Sequence, residues 1–326
     1  MEKSIEGNLY NYFAEQKTDR CLFSGRQVKE SENITVFPEW IMTRYHLHDQ
    51  WLGMLNWNRE KYGDMKVPCA PEAKTVIENL EKQIQSAFET GYEAVSRLNT
   101  DLIFLWASRI VCGLLYYELE YGKEFGRKRG REFIISPLLG RKYSDLMLMV
   151  QSLFYPVRWE GTPYSIAVRK VQYSKDGFNF RDETRKLNLS LGMLDFGFTL
   201  CLQDQGQVRK FNKEILDKMG NAVLHPIQFE ELNARFIYSN YILKEHSGWD
   251  VSYNGEGVVM RAREEDQEAV FGKWDDKIYS STLGEYWKPW GIESKDIYNF
   301  PDSPVSYLVN EYTNEFIDKD SIPLPY

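Results

Sequence analysis

"CLFSGRQVKESENITVFPEW", residues 21–40, carries the features that decide how the N-terminal part of this chain is read. Cys21 opens a C-x-x-C-like turn whose second position is Ser24. Some ten residues on comes the apolar "VFPEW", with Thr35 just before it and a proline where a helix begins, near Pro38. Downstream, "KVPCAPEAK" (66–74) holds Cys69 and leads into Val76, Ile77, Leu80, Ile84, Ala87 and Phe88. Their spacing of three and four predicts an amphipathic helix over 71–98, kinked or ended at Gly91.

The rest of the chain alternates in texture. Residues 1–20 read as helical and polar. Asp101 reads as the cap of an apolar helix running to about Leu119, and the Arg109 inside it marks a buried helix rather than a membrane span. "GKEFGRKRGREF" (122–133) reads as a glycine-punctuated basic loop, and 136–154 returns to helical spacing. After Pro156, "PYSIAVRKVQY", "GFNFRDE" and "LDFGFTLCLQD" read as antiparallel strands, and "LHPIQFEELNARFIYSNYIL" as an amphipathic helix with proline at its start. These runs predict an α+β fold in two regions, 1–125 and 126–326. At 326 residues and 43% hydrophobic, the chain can bury a sizeable core.

The order C-x-x-C, a histidine before "FPEW", then "VPC" with a further cysteine and an asparagine, and a helix ending in Leu-Glu, resembles a bacterial group of HNH endonuclease-like proteins. Here the counterparts read "CLFS" (21–24), "TVFPEW" (35–40), "KVPCAPEAK" (66–74) and "NLE" (79–81). The resemblance implies a ββα hairpin-and-helix module over roughly residues 20–120, a histidine general base, a divalent metal, and a structural zinc with four ligands. Position by position, most of these groups are missing. Thr35 stands at the base position; Cys21 and Cys69 remain of the zinc set; Ser24 and a position at or beside Ala73 replace the other two thiols. Two thiols of four do not hold a structural zinc, so the resemblance implies a degenerate module with no cofactor and no catalytic residue.

Two readings of function follow. In the first, the chain is a catalytically inactive scaffold or recognition subunit for a protein partner. In the second, it is an active metal-dependent nuclease that recruits Glu39, Glu72, His46, His48 or Asp49, with Glu39 the first to test. "HLHDQ" (46–50) also reads more simply as a solvated turn with Asp49 capping the next helix. His225 is expected at a helix entrance and His246 in a loop. Lys123, Arg127, Lys128, Arg129 and Arg131 form the best candidate for phosphate contacts, against the plainer reading of a solvated loop. Trp274, Trp287 and Trp290 read either as partner anchors or as a lid over the domain's own core.

The formal net charge of −8 argues against wholesale wrapping of nucleic acid. Four dispersed cysteines and an acidic, polar N-terminus lead to an expectation of a reducing, cytoplasmic setting without membrane insertion.

Overall fold

Proline marks three of the helix starts, its φ being preset for the first turn and its missing N–H costing nothing there. The computed structural model describes residues 9–15, 17–54, 58–130, 135–174, 177–244, 248–254, 256–263, 271–298 and 302–325. Its first half runs α1 (Tyr12–Glu15), β1 (Asn33–Thr35), α2 (Glu39–Arg44), β2 (Trp51–Gly53), β3 (Arg59–Lys61), β4 (Lys66–Pro68), α3 (Pro71–Thr90), α4 (Tyr92–Val95), α5 (Thr100–Lys128) and α6 (Pro137–Val150). Next come β5 (Val157–Glu160), β6 (Ser165–Lys170), β7 (Phe178–Glu183), β8 (Asn188–Met193) and β9 (Phe196–Cys201). The chain continues with α7 (Gln207–Phe211), α8 (Lys213–Met219), α9 (Pro226–Ile242), β10 (Trp249–Asn254), β11 (Gly257–Ala262), α10 (Asp276–Trp287) and α11 (Ser294–Ile297). The fold is α+β, with helices and mostly antiparallel strands in separate runs.

Two compact units interleave along the chain: Met1–Ser86, Asn99–Gly161 and Ser247–Arg263 form one, and Ala87–Leu98, Thr162–His246 and Glu264–Tyr326 the other. A single boundary at residue 125 would fall inside α5. The late hairpin β10–β11 returns to the first unit because β11 pairs in parallel with β5, Val258 opposite Val157. Local periodicity carries no trace of such a distant pairing.

In the first unit β1 pairs antiparallel with β4, Ile34 opposite Val67, and β2 pairs with β3. α5 is its central helix, 78% buried over its most apolar stretch. Its cap is Asn99, whose side chain accepts from the Asp101 N–H at 3.0 Å, two residues earlier than the sequence suggests. Gly113 lets it approach Val36, since a Cβ there would lie 2.9 Å from both Val36 methyls.

The helix also runs on to Lys128, through the stretch expected as a loop. Gly122 and Gly126, four apart, lie on its buried face. Lys123 pairs with Glu120 and Lys128 with Glu124, each at 2.7 Å, at spacings that suit a helix. Near the N-terminus, among the described residues, only Tyr12–Glu15 are α-helical. Gly91 does end α3: its φ is +99° and a Cβ would meet the Asp195 carboxylate that accepts from Tyr92 N–H.

In the second unit β6, β9, β8 and β7 form an antiparallel sheet in that order. One face carries Leu189, Leu191, Phe196 and Phe198, with Phe88 against the two phenylalanines. The other carries Asn188, Ser190, Thr199 and Gly197, and against it lies α9, whose Phe229 ring occupies the space a Cβ on Gly197 would need. α9 is not amphipathic but buried along most of its length, with Tyr241 exposed near its end: Phe229, Leu232 and Phe236 join one apolar cluster, Ile227, Ala234 and Tyr238 another shared with α10.

Candidate functional site

The backbone between Arg20 and Gln27 closes a tight knuckle. Cys21 N–H donates to Arg26 O at 2.7 Å, Gly25 N–H to Cys21 O at 3.0 Å, and Ser24 N–H to Cys21 Sγ at 3.3 Å. Gly25 is left-handed, φ +69°, packed on Tyr10. Leu22 N–H fastens the knuckle to Pro68 O of β4 at 2.8 Å, and Arg26 reaches Glu72 in the first turn of α3 at 3.3 Å. Cys69, at the junction of β4 and α3, thereby comes within hydrogen-bonding reach of Cys21.

Cys21, Ser24, Cys69 and Ala73 are all buried, at 0, 4, 1 and 2% exposure. The Cys69 thiol above all, then the Ser24 hydroxyl and the Ala70 and Ser24 backbone, brings the Cys21 thiol down to about 5 although burial opposes it. Donation to Cys21, followed by burial, pushes Cys69 far upward. Ser24 Oγ is buried with no nitrogen or oxygen partner.

These donors do not fit a four-coordinate zinc. Ala73 offers a methyl and Ser24 a neutral hydroxyl. Among the described residues no group of three or more His, Cys, Asp or Glu is arranged to hold a metal.

The other candidates scatter. Thr35 ends β1 opposite Lys66, and its carbonyl accepts from Arg109 Nη1 at 3.0 Å. The same guanidinium, wholly buried, also binds Val36 O and pairs with Glu81 of α3. Burial lowers Arg109 to about 10. It therefore ties the β1 end to α3, a role the sequence does not disclose.

Glu39 opens α2, exposed, and accepts from His48 Nε2 at 2.7 Å. His46 sits in a left-handed turn, φ 53°. Asp49 pairs with Lys61 at 2.8 Å and precedes a strand, so it caps no helix. Glu72 is spent on Arg26. Of the alternative metal set, only Glu39 and His48 come together.

The basic residues are partly neutralised. Besides the pairs of Lys123 and Lys128, Arg129 stacks on Phe125 at 4.2 Å, while Arg127 is exposed. Arg131 and His246 lie outside the described residues.

The tryptophans pack on their own unit. Trp287 is fully buried, its Nε1–H donating to Ile227 O at 3.1 Å, and Trp290 donates to Pro325 O at 3.0 Å. Trp274 packs on Tyr238 and Tyr279, with ring centroids 4.6 and 4.7 Å away. This is the geometry of a lid, and Trp287 is not presented to a partner.

A second polar centre, absent from the sequence reading, lies on α9. His225 caps the helix, its Nδ1 accepting from Ile227 N–H at 3.1 Å. Glu230 faces the sheet and takes hydrogen bonds from Asn179 and from Asn233 at 3.3 Å, with Arg181 Nε 2.8 Å away. Burial raises its carboxyl to about 7 in spite of those donors. Glu231 accepts from Ser306 Oγ at 2.6 Å and from the N–H groups of Tyr307 and Leu308 at 2.7 and 3.1 Å. Gln228 donates to Tyr307 O and Ile317 O, both at 2.7 Å.

Beside Arg181, Ser190, Thr199, Asn233 and Tyr286 the free space is about 10 Å³, the room of one water and not of a substrate. The signal available in sequence was "FEEL" itself: two adjacent acids flanked by Phe229 and Leu232. Comparison with protein-family models, with curated proteins and with solved structures finds no match to this chain.

Proposed function

We propose that this chain is a non-catalytic relative of the HNH-like proteins, acting as a scaffold or recognition subunit that binds a protein partner. The observation that carries the reading is the shared burial of Cys21 and Cys69 with Ser24 and Ala73, which stand where two further thiols would be required. Packing takes the place of coordination there, and Thr35 supplies no base. Glu39 with His48 is a pair and not a metal-binding triad, so the nuclease alternative rests on two exposed side chains. With Trp287 internal, the partner's contacts fall to exposed aromatics such as Trp51 and Tyr312, 60 and 89% accessible.

The test incubates the purified chain with plasmid and single-stranded DNA in magnesium, manganese or zinc. No cleavage is expected. Cleavage lost in Glu39→Ala would establish the nuclease reading instead. Any DNA binding through the end of α5 should weaken, with a flatter salt dependence, when Arg127, Lys128 and Arg129 become serine.

A further inference from the structure

We infer that a cleft in the second unit, walled by the C-terminal segment, receives an extended basic segment of a protein partner and seats a lysine or arginine side chain there. The inference rests on the reading of the chain as a binding subunit and gives that reading a place. The cleft measures about 670 Å³, the size of a ligand site and far more than a packing defect. α11 supplies one wall through Asp296 and Ile297, and residues 302–312 with Ile317 supply the rest.

Charge decides the occupant. Among the described residues the lining holds Asp296, Asp302 and Glu311 but no lysine, arginine or histidine, and none of the three carboxylates is paired with a cationic side chain. Residues 302–325 as a whole carry five carboxylates against Lys319 alone. A field of that sign draws cations in and turns phosphates away. The exposed Tyr312 offers a ring face to a cation. Val305 and Val309 give apolar surface for the residues beside it.

The walls are also held in advance. Residues 302–318 contain no helix and only one isolated bridge, Val309 with Phe316. Irregular stretches of that length are uncommon in a compact unit and mostly serve function. This one is pinned: Glu231 accepts from the N–H groups of Tyr307 and Leu308, and Gln228 donates to Tyr307 O and Ile317 O. Val305 N–H donates to Ile297 O at 2.8 Å, tying one wall to the other. A cleft fixed in this way needs little ordering of its own when a flexible peptide enters.

The experiment screens the full-length chain against immobilised nine-residue peptides whose central residue is Arg, Lys, Gln or Glu and whose flanks are randomised. Selection of Arg and Lys over Glu is expected, with affinity falling as salt rises. The selected peptide should slow amide exchange over residues 302–312. Asp302→Lys/Glu311→Lys alters two exposed positions that the fold does not need. It should bind that peptide about 10-fold more weakly and shift the selection toward Glu, and Tyr312→Ala should weaken binding about 3-fold. Selection indifferent to charge, no selection at all, or undiminished binding by the double variant would each overturn the cleft as the site. Protection centred on Trp51 would do the same while leaving the partner reading in place. DNA cleavage by the chain would remove that reading without touching a selection for Arg and Lys.

Discussion

The thiol corner of the first unit and the carboxylate layer of the second bury polar groups equally deeply and by opposite means. Cys21, Ser24 and Cys69 are small, and their interior is reconciled by a sulfur–sulfur contact and close packing. Glu230 and Glu231 are carboxylates inside a helix, and the surrounding chain supplies donors for both: Arg181, Asn179 and Asn233 for one, Ser306 and two backbone N–H groups for the other. Small groups let a site close with few partners, whereas a buried carboxylate calls for several donors. The answer also builds structure. The C-terminal segment 302–325 holds little regular secondary structure, so several of its backbone groups are met by Gln228, Glu231 and His225 of α9 and its cap.

The sharpest way to break this contrast is Glu231→Ala. It would leave the Ser306 hydroxyl and the Tyr307 N–H without their acceptor, the Leu308 N–H with Ser306 Oγ alone, and the Arg235 guanidinium without its paired carboxylate. A loss of about 3–5 kcal/mol is expected, with amide exchange around 306–317 accelerating first. A loss below about 1 kcal/mol would mean that the buried carboxylate does not fasten the segment.

The next prediction uses pH. Burial sets Glu230 at about 7 in the folded chain against 4.5 for the free side chain, so the folded state holds a proton that the unfolded state has released. Its contribution is therefore complete below pH 4.5 and fades as pH rises to about 7. Removing that term with Glu230→Gln should flatten stability across the window by on the order of 3 kcal/mol. Asp145, raised to about 7, and Asp204, raised to about 6, leave a residual slope. Urea midpoints between pH 4 and 8 decide it, and an unchanged slope would remove Glu230 as its source.

How much of this contrast could be read from the residues depends on the range of the interaction behind each feature. Pro71, Pro137 and Pro226 mark their helices, and Gly91 marks a break, because those effects are local. Three features escape because they are not. Gly122 and Gly126 look like loop punctuation until a neighbour is packed against them. Trp287 has the composition of an interface anchor and the position of a core residue. Glu230 and Glu231 resemble a solvated face until Arg181, some fifty residues earlier, and Ser306, far downstream, come to meet them. At the thiol corner the motif layout alone suggested that residues 21 and 69 belong together, while the ties of Arg109 to Thr35 and Val36 needed coordinates.

A mid-sized effect tests the packing under α9. Gly197→Ala would put a methyl 2.5 Å from the Phe229 ring. Displacing a buried ring in a close-packed interior costs about 1–3 kcal/mol. A neutral result would show that α9 can lift from the sheet, and that the donors around Glu230 are less fixed than the contrast requires.

The smallest expected effect lies at the thiol corner itself, in Ser24→Ala. Its hydroxyl is buried without a nitrogen or oxygen partner and acts on the Cys21 sulfur. Deleting an unsatisfied polar atom recovers its desolvation penalty and loses one weak contact to sulfur. Against this stands a vacancy the size of one oxygen atom. The balance is a change within about 0.5 kcal/mol of zero, read as an unmoved urea midpoint at unchanged slope. That null result separates the two centres, since the same truncation logic predicts a large loss at Glu231. If Ser24→Ala instead cost more than about 2 kcal/mol, the hydroxyl would be holding a group as Glu231 does. The first unit would then be built on the same principle as the second.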